Sequence, residues 1–135
     1  MRIAALLVAL IVTFSPTSAR ADDIATAQGV IRGQEQAFGR GDAAAAYSYA
    51  APAIRELFPA PDIFMSMVQN GYAPVYRHKS FEFGDGKSEG NSISQRVHIV
   101  DADGEAWEAL YTLEQQGDGS YKITGCSLLK AGREA

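Results

Sequence analysis

The chain has 135 residues, 12 of them basic and 16 acidic, 47% hydrophobic, with a single cysteine. That length builds one domain with a real core and needs no disulfide or metal staple. A net charge of −4 with no basic run excludes nucleic acid as the main partner, because phosphate backbones are held by concentrated Lys and Arg.

Met1-Arg2 gives a short positive start, Ile3 to Phe14 is an apolar run of 12 residues, and Ala19-Arg20-Ala21 supplies small residues at a cleavage point. This pattern predicts a secretory signal peptide over residues 1–21 and a periplasmic or secreted protein. A spanning helix needs roughly 20 apolar residues, so no stable membrane anchor is expected after cleavage. The mature chain then starts at Asp22, or at Arg20 if the cut follows Ala19. Loss of the leader with Arg2 and Arg20 leaves 10 basic against 16 acidic residues, a formal charge of −6.

Residues 22–135 read as a single α+β domain. Ile24, Ala27, Ile31, Gln34 and Phe38 fall at three- and four-residue spacing, the stripe of an amphipathic helix. Gly39 and Gly41 end it, and Asp42 caps a second helix over Ala43 to Ala50. Pro52 starts a short segment through Phe58. Pro61-Asp62 opens another with Ile63, Phe64, Met67 and Val68 as its buried stripe, and Asn70-Gly71 is its expected left-handed stop. After Pro74 the period becomes two, with strands at about 75–83, 91–100, 105–116 and 120–130. Gly84 to Gly90 reads as a loop.

Asp101-Ala102-Asp103-Gly104-Glu105 and Gln116-Gly117-Asp118-Gly119-Ser120 fit three-residue hairpin loops with Gly in the left-handed position. They set Ile99 opposite Trp107, Gln95 opposite Tyr111 and Leu113 opposite Ile123. They also predict Tyr111 opposite Gly125 and Leu110 opposite Cys126. Odd-numbered residues then share the face packed on the helices.

Gln36-Ala37-Phe38, Gly41 to Tyr47, Ala51 to Arg55, Phe64 to Val68, Gly71 to Arg77, Phe83-Gly84-Asp85, Val100 to Gly104, Trp107 to Tyr111 and Ile123 to Cys126 run in that order. As a set they resemble a bacterial family known as domain of unknown function 4864, which looks like part of the nuclear transport factor 2-like superfamily. The resemblance implies a cone, with helices packed into a curved antiparallel sheet of about four strands. That superfamily hosts isomerases, dehydratases, cyclases and ligand binders, so fold does not choose function.

The inner face offers a pocket of Gln95, Trp107, Tyr111 and Gly125, with Tyr47 reaching in from the second helix. Gly in a strand interior leaves space or admits a neighbour, and an aromatic wall with few polar groups suits a small ligand. The plain structural alternative lets Tyr111 cover the Gly125 gap and bond Gln95. A cofactor-free isomerase or lyase in this cavity needs a carboxylate base, and the inner face supplies none. A cone filled by its own side chains is the third reading.

On the outer face His98 stands opposite Glu108, and Val100, Leu110, Cys126 and Leu128 form an apolar patch that fits a two-fold homodimer. There Cys126 would either stay free or bridge two chains. Arg77-His78-Lys79 is the one basic cluster, either a landing point for an anion or a solvated strand end. His78 and His98 have no ligand-spaced neighbours, so neither a metal nor a cofactor is expected. The first strand leaves its faces open, since a bulge could exchange them midway.

Overall fold

The structure, a computed structural model, describes residues 16–131 together with Ala9 and Ile11. Most of the expected leader lies outside the described residues. Among the described residues five helices precede four strands: α1 Pro16–Gly39, α2 Ala43–Ser48, α3 Pro52–Leu57, α4 Pro61–Gly71, α5 Ala73–Tyr76, β1 His78–Glu89, β2 Ser92–Asp101, β3 Ala106–Gln115 and β4 Tyr121–Lys130. The strands form one antiparallel sheet in the order β1-β2-β3-β4. This is an α+β architecture, with helices first and a meander after.

α1 buries the stripe its spacing predicts, with Ala27, Ile31, Gln34 and Phe38 all withdrawn from solvent. Gly41 ends the turn at φ 67, and the Asp42 carboxylate accepts from the Ala45 amide at 3.1 Å to start α2. Gly33 lets the two helices touch. A Cβ there would lie 2.5 Å from the Tyr49 hydroxyl.

α4 differs from expectation in two ways. Met65 is buried where Ile63 was expected, and Ile63 is 46% exposed. Gly71 is helical rather than a left-handed stop: positive φ among the described glycines belongs to Gly41, Gly90, Gly104 and Gly119. The chain turns at Tyr72 into α5, so Val75 is a buried helical residue and not a strand start.

The β2–β3 register is the predicted one, including Ile99↔Trp107, Gln95↔Tyr111 and His98↔Glu108. Gly104 and Gly119 occupy the left-handed loop positions at φ 86 and 87. Asp101 N donates to Glu105 O at 2.8 Å, and Gln116 N donates to Ser120 O at 2.7 Å, closing both hairpins.

Three register shifts bend the strands. In β4 the shift falls at Thr124: Leu113 faces Ile123 as predicted, but Thr112 faces Gly125 and Tyr111 faces Cys126. In β1 shifts fall at Lys79 and at Gly84-Asp85, so His78, Phe81, Phe83 and Gly86 all lie on the inner side. The expected loop at Gly84 to Gly90 is mostly strand. Each extra residue adds local bend and twist.

The core lies between the inner face and α1, α2 and α4. Ile31, Ile93, Val97, Ile99 and Leu113 are fully buried, each such side chain contributing about 1.5–3 kcal/mol of hydrophobic stabilisation.

Candidate functional site

A cleft of about 420 Å3 opens between α1, the α3–α4 segment and the second half of β4. Phe38 of α1, Phe58 after α3, and Phe64 and Val68 of α4 form its apolar walls. Their placement follows from sequence: Phe38 ends the α1 stripe, and Phe64 and Val68 share one face of α4 at four-residue spacing. Phe38 and Phe64 rings sit 6.3 Å apart. Leu57, 74% exposed, stands at the mouth.

The sheet side of the cleft carries Tyr111, Ile123 and Cys126. The Thr124 bulge brings Cys126 there, because the extra residue exchanges the faces of β4. Burial in apolar surroundings pushes the Cys126 thiol up to about 12, against a lowering by its bond with Tyr111. Burial likewise raises the Tyr111 phenol, with the neighbouring Cys126 and then Glu35 adding to it. Both groups are therefore neutral at physiological pH. Gln34 is a further neutral polar group of the lining, its amide donating to Ala46 O at 3.1 Å. Among the described residues no Asp, Glu, Lys or Arg lines this cleft.

Of the five residues expected in the pocket, two line it. Tyr111 does so with its side chain. Gly125 does so through its main chain, whereas a Cβ on it would point to Thr112 Oγ1 at 3.1 Å. The glycine therefore serves the outer face and leaves no inner gap. Tyr47 instead donates to Phe58 O at 2.7 Å, holding the end of α3. Trp107 donates from Nε1 to Asp101 Oδ2 at 2.8 Å at the far end of the sheet. Gln95 is fully buried but belongs to the β1 bulge: its amide donates to Gly84 O at 2.9 Å and Arg96 O at 2.8 Å, and its oxygen accepts from Gln28 at 3.1 Å. Main chain and Gln28 take its hydrogen bonds, and among the described residues none goes to Tyr111, its cross-strand neighbour.

The outer patch does not assemble as predicted. Val100 and Leu110 remain on that face, half-buried, but Cys126 and Leu128 turn inward and pack against the core. Cys126 is a free thiol and lines the cleft rather than the outer face. His98 lies opposite Glu108, yet the carboxylate pairs with Arg96 at 2.9 Å.

Sequence reading missed a pair on the other side of α1. Glu35 and His78 meet at 2.6 Å, each side chain only 14% exposed, and Arg32 reaches Glu35 at 2.6 Å. The Lys79 bulge makes this contact by turning His78 inward. Among the described residues no three His, Cys, Asp or Glu side chains converge as a metal set requires.

The chain belongs to a family of unknown function: residues 20–135 match the model described as Domain of unknown function (DUF4864). No curated protein and no solved structure is significantly similar to it.

Proposed function

We propose that the chain is an exported binding module of nuclear transport factor 2-like type, whose cleft takes one small, uncharged, largely apolar molecule. The single observation behind this reading is the cleft itself, about 420 Å3 with aromatic walls and neutral polar groups that include Gln34, Tyr111 and Cys126. Ligand sites typically span about 300–1,000 Å3 and join apolar walls to a few polar anchors. The lining holds no charge to pair with an anionic or cationic ligand, and desolvating an unpaired charge there costs several kcal/mol, so neutral molecules are favoured. The superfamily reading draws support from the order of helices and strands and from the three bulges that bend the sheet. Export draws support from the leader pattern of residues 1–21.

The test is a fluorescence titration of the mature protein with the neutral dye N-phenyl-1-naphthylamine, followed by displacement with dodecanol and with laurate. Saturable one-to-one binding, displaced better by the alcohol than by the carboxylate, is expected. Leu57→Asp at the exposed mouth should weaken it about tenfold, the equivalent of about 1.4 kcal/mol. Dye binding that never saturates, or that ignores Leu57→Asp, overturns the reading.

A further inference from the structure

We infer that the groove between α1 and the start of β1 is a second binding site, one that takes a small anion of carboxylate or phosphate type between Arg77 and Lys79. The groove encloses about 540 Å3 and runs from Glu35 of α1 past Tyr76 to Ala102 at the tip of the β2–β3 hairpin. α1 separates it from the apolar cleft: Gln34 and Phe38 line the one, Glu35 the other.

Charge carries the argument. Glu35 is the one acid in the lining, and both its oxygens are taken, Oε1 by Arg32 and Oε2 by His78, each at 2.6 Å. His78 Nδ1 lies 3.0 Å from the Pro74 carbonyl, a group that can only accept, so that nitrogen donates. Arg32 and His78 thus hold Glu35 from both sides, and its carboxylate does not face the groove unpaired. Arg77 and Lys79 are exposed, and among the described residues neither reaches a carboxylate within ion-pair distance. The nearby Asp101 carboxylate is already engaged by the Asp103 and Glu105 amides and the Trp107 indole.

The chain carries a net charge of −4, yet among the described residues no carboxylate pairs with either cation beside this concavity. A recess with an excess of one sign of charge at its wall focuses field and concentrates counter-ions. Tyr76 fixes one wall, with the Arg77 guanidinium carbon 5.2 Å from its ring centroid. That stacking holds the fork of Arg77 ready for a bidentate oxyanion.

The experiment is a two-dimensional amide NMR titration of the mature protein with sodium benzoate and, separately, with inorganic phosphate at low salt. Saturable shifts confined to Tyr76–Lys79 and the Glu35 turn of α1 are expected, weakening on added sodium chloride. The double variant Arg77→Ala/Lys79→Ala should lose about tenfold or more in affinity for both probes while melting like the parent, and Lys87→Ala should lose nothing. Two results would overturn the site: no saturable shift with either anion, or an equal loss in Lys87→Ala, which marks non-specific attraction.

Discussion

The side-chain amide of Gln95, in the middle of β2, lies 2.9 Å from the carbonyl oxygen of Gly84 and donates to it across the β1 bulge. Its other contacts satisfy Arg96 O and Gln28, so a fully buried polar group leaves nothing unpaired. Gln95→Leu keeps the volume and strands these partners, each unmet buried group costing about 1–3 kcal/mol. Urea unfolding should register a loss of about 2–4 kcal/mol with an unchanged slope. A loss below about 0.5 kcal/mol would mean that the bulge finds other donors.

Gly33 and Tyr49 make a second close approach. Ala in place of Gly normally stabilises a helix interior by about 1 kcal/mol. Here the added methyl meets the phenol ring and hydroxyl of Tyr49, and overpacking of this kind costs about 1–3 kcal/mol. Gly33→Ala should therefore lower the melting temperature, and Gly33→Ala/Tyr49→Ala should lose less than the two single changes combined. Strict additivity in that cycle would show that the side chains do not touch.

Asp101 organises the first hairpin, and Trp107, the single tryptophan, reports on it. The indole bond first, then the Glu105 amide, hold this carboxylate below its ordinary value of 3.8. A depressed acid stabilises the fold above its unfolded value, and that contribution is lost as pH falls through the folded one. Trp107 emission should thus change with a midpoint below pH 3.8. Asp101→Ala should remove that step; if it persists unaltered, the bond is not its source.

Cys126 gives the opposite sign. Its thiol rises from an ordinary 9.0 to about 12, so the folded state prefers it protonated. The stabilisation is whole below pH 9.0 and fades as pH climbs toward about 12. The stability gap between the parent and Cys126→Ala should narrow through that window by on the order of 1 kcal/mol per pH unit. Ellman's reagent should label native Cys126 far more slowly than the urea-unfolded chain, since the thiolate is the nucleophile. Equal rates would place the thiol in solvent.

Local chemistry made the hairpins legible. Asp-Gly loops with a fixed left-handed glycine set Asp101 against Glu105, and the β2–β3 pairs follow without exception. The same reasoning reached Ile123 and failed one residue later. Thr124 and Gly125 continue an alternating pattern, and the pleat gives no sign that one residue is surplus. Gly125 was the available clue, because a lone glycine inside a strand also marks a bulge. Its consequences were large, since Cys126 and Leu128 changed sides and Gly125 left the inner face. Lys79 repeats the lesson in β1, where one extra residue brought His78 to Glu35. Most of the cleft wall lay in helix stripes that were readable, but which stripe faces β4 depends on tertiary packing that no local period encodes.

The two margins of the sheet are protected differently. On the β4 side Ala51 N donates to Ile123 O at 2.8 Å, and Ile123 N donates to Tyr49 O at 2.9 Å, so the main chain after α2 shields part of that border. Among the described residues β1 has no such main-chain cover, but Lys79, Glu82, Asp85, Lys87 and Glu89 punctuate it, and two bulges break its straightness. An approaching strand would meet alternating charge on a kinked ribbon, a poor template for cross-β stacking. Kinks and charge thereby make this flank a poor nucleus for edge-to-edge growth.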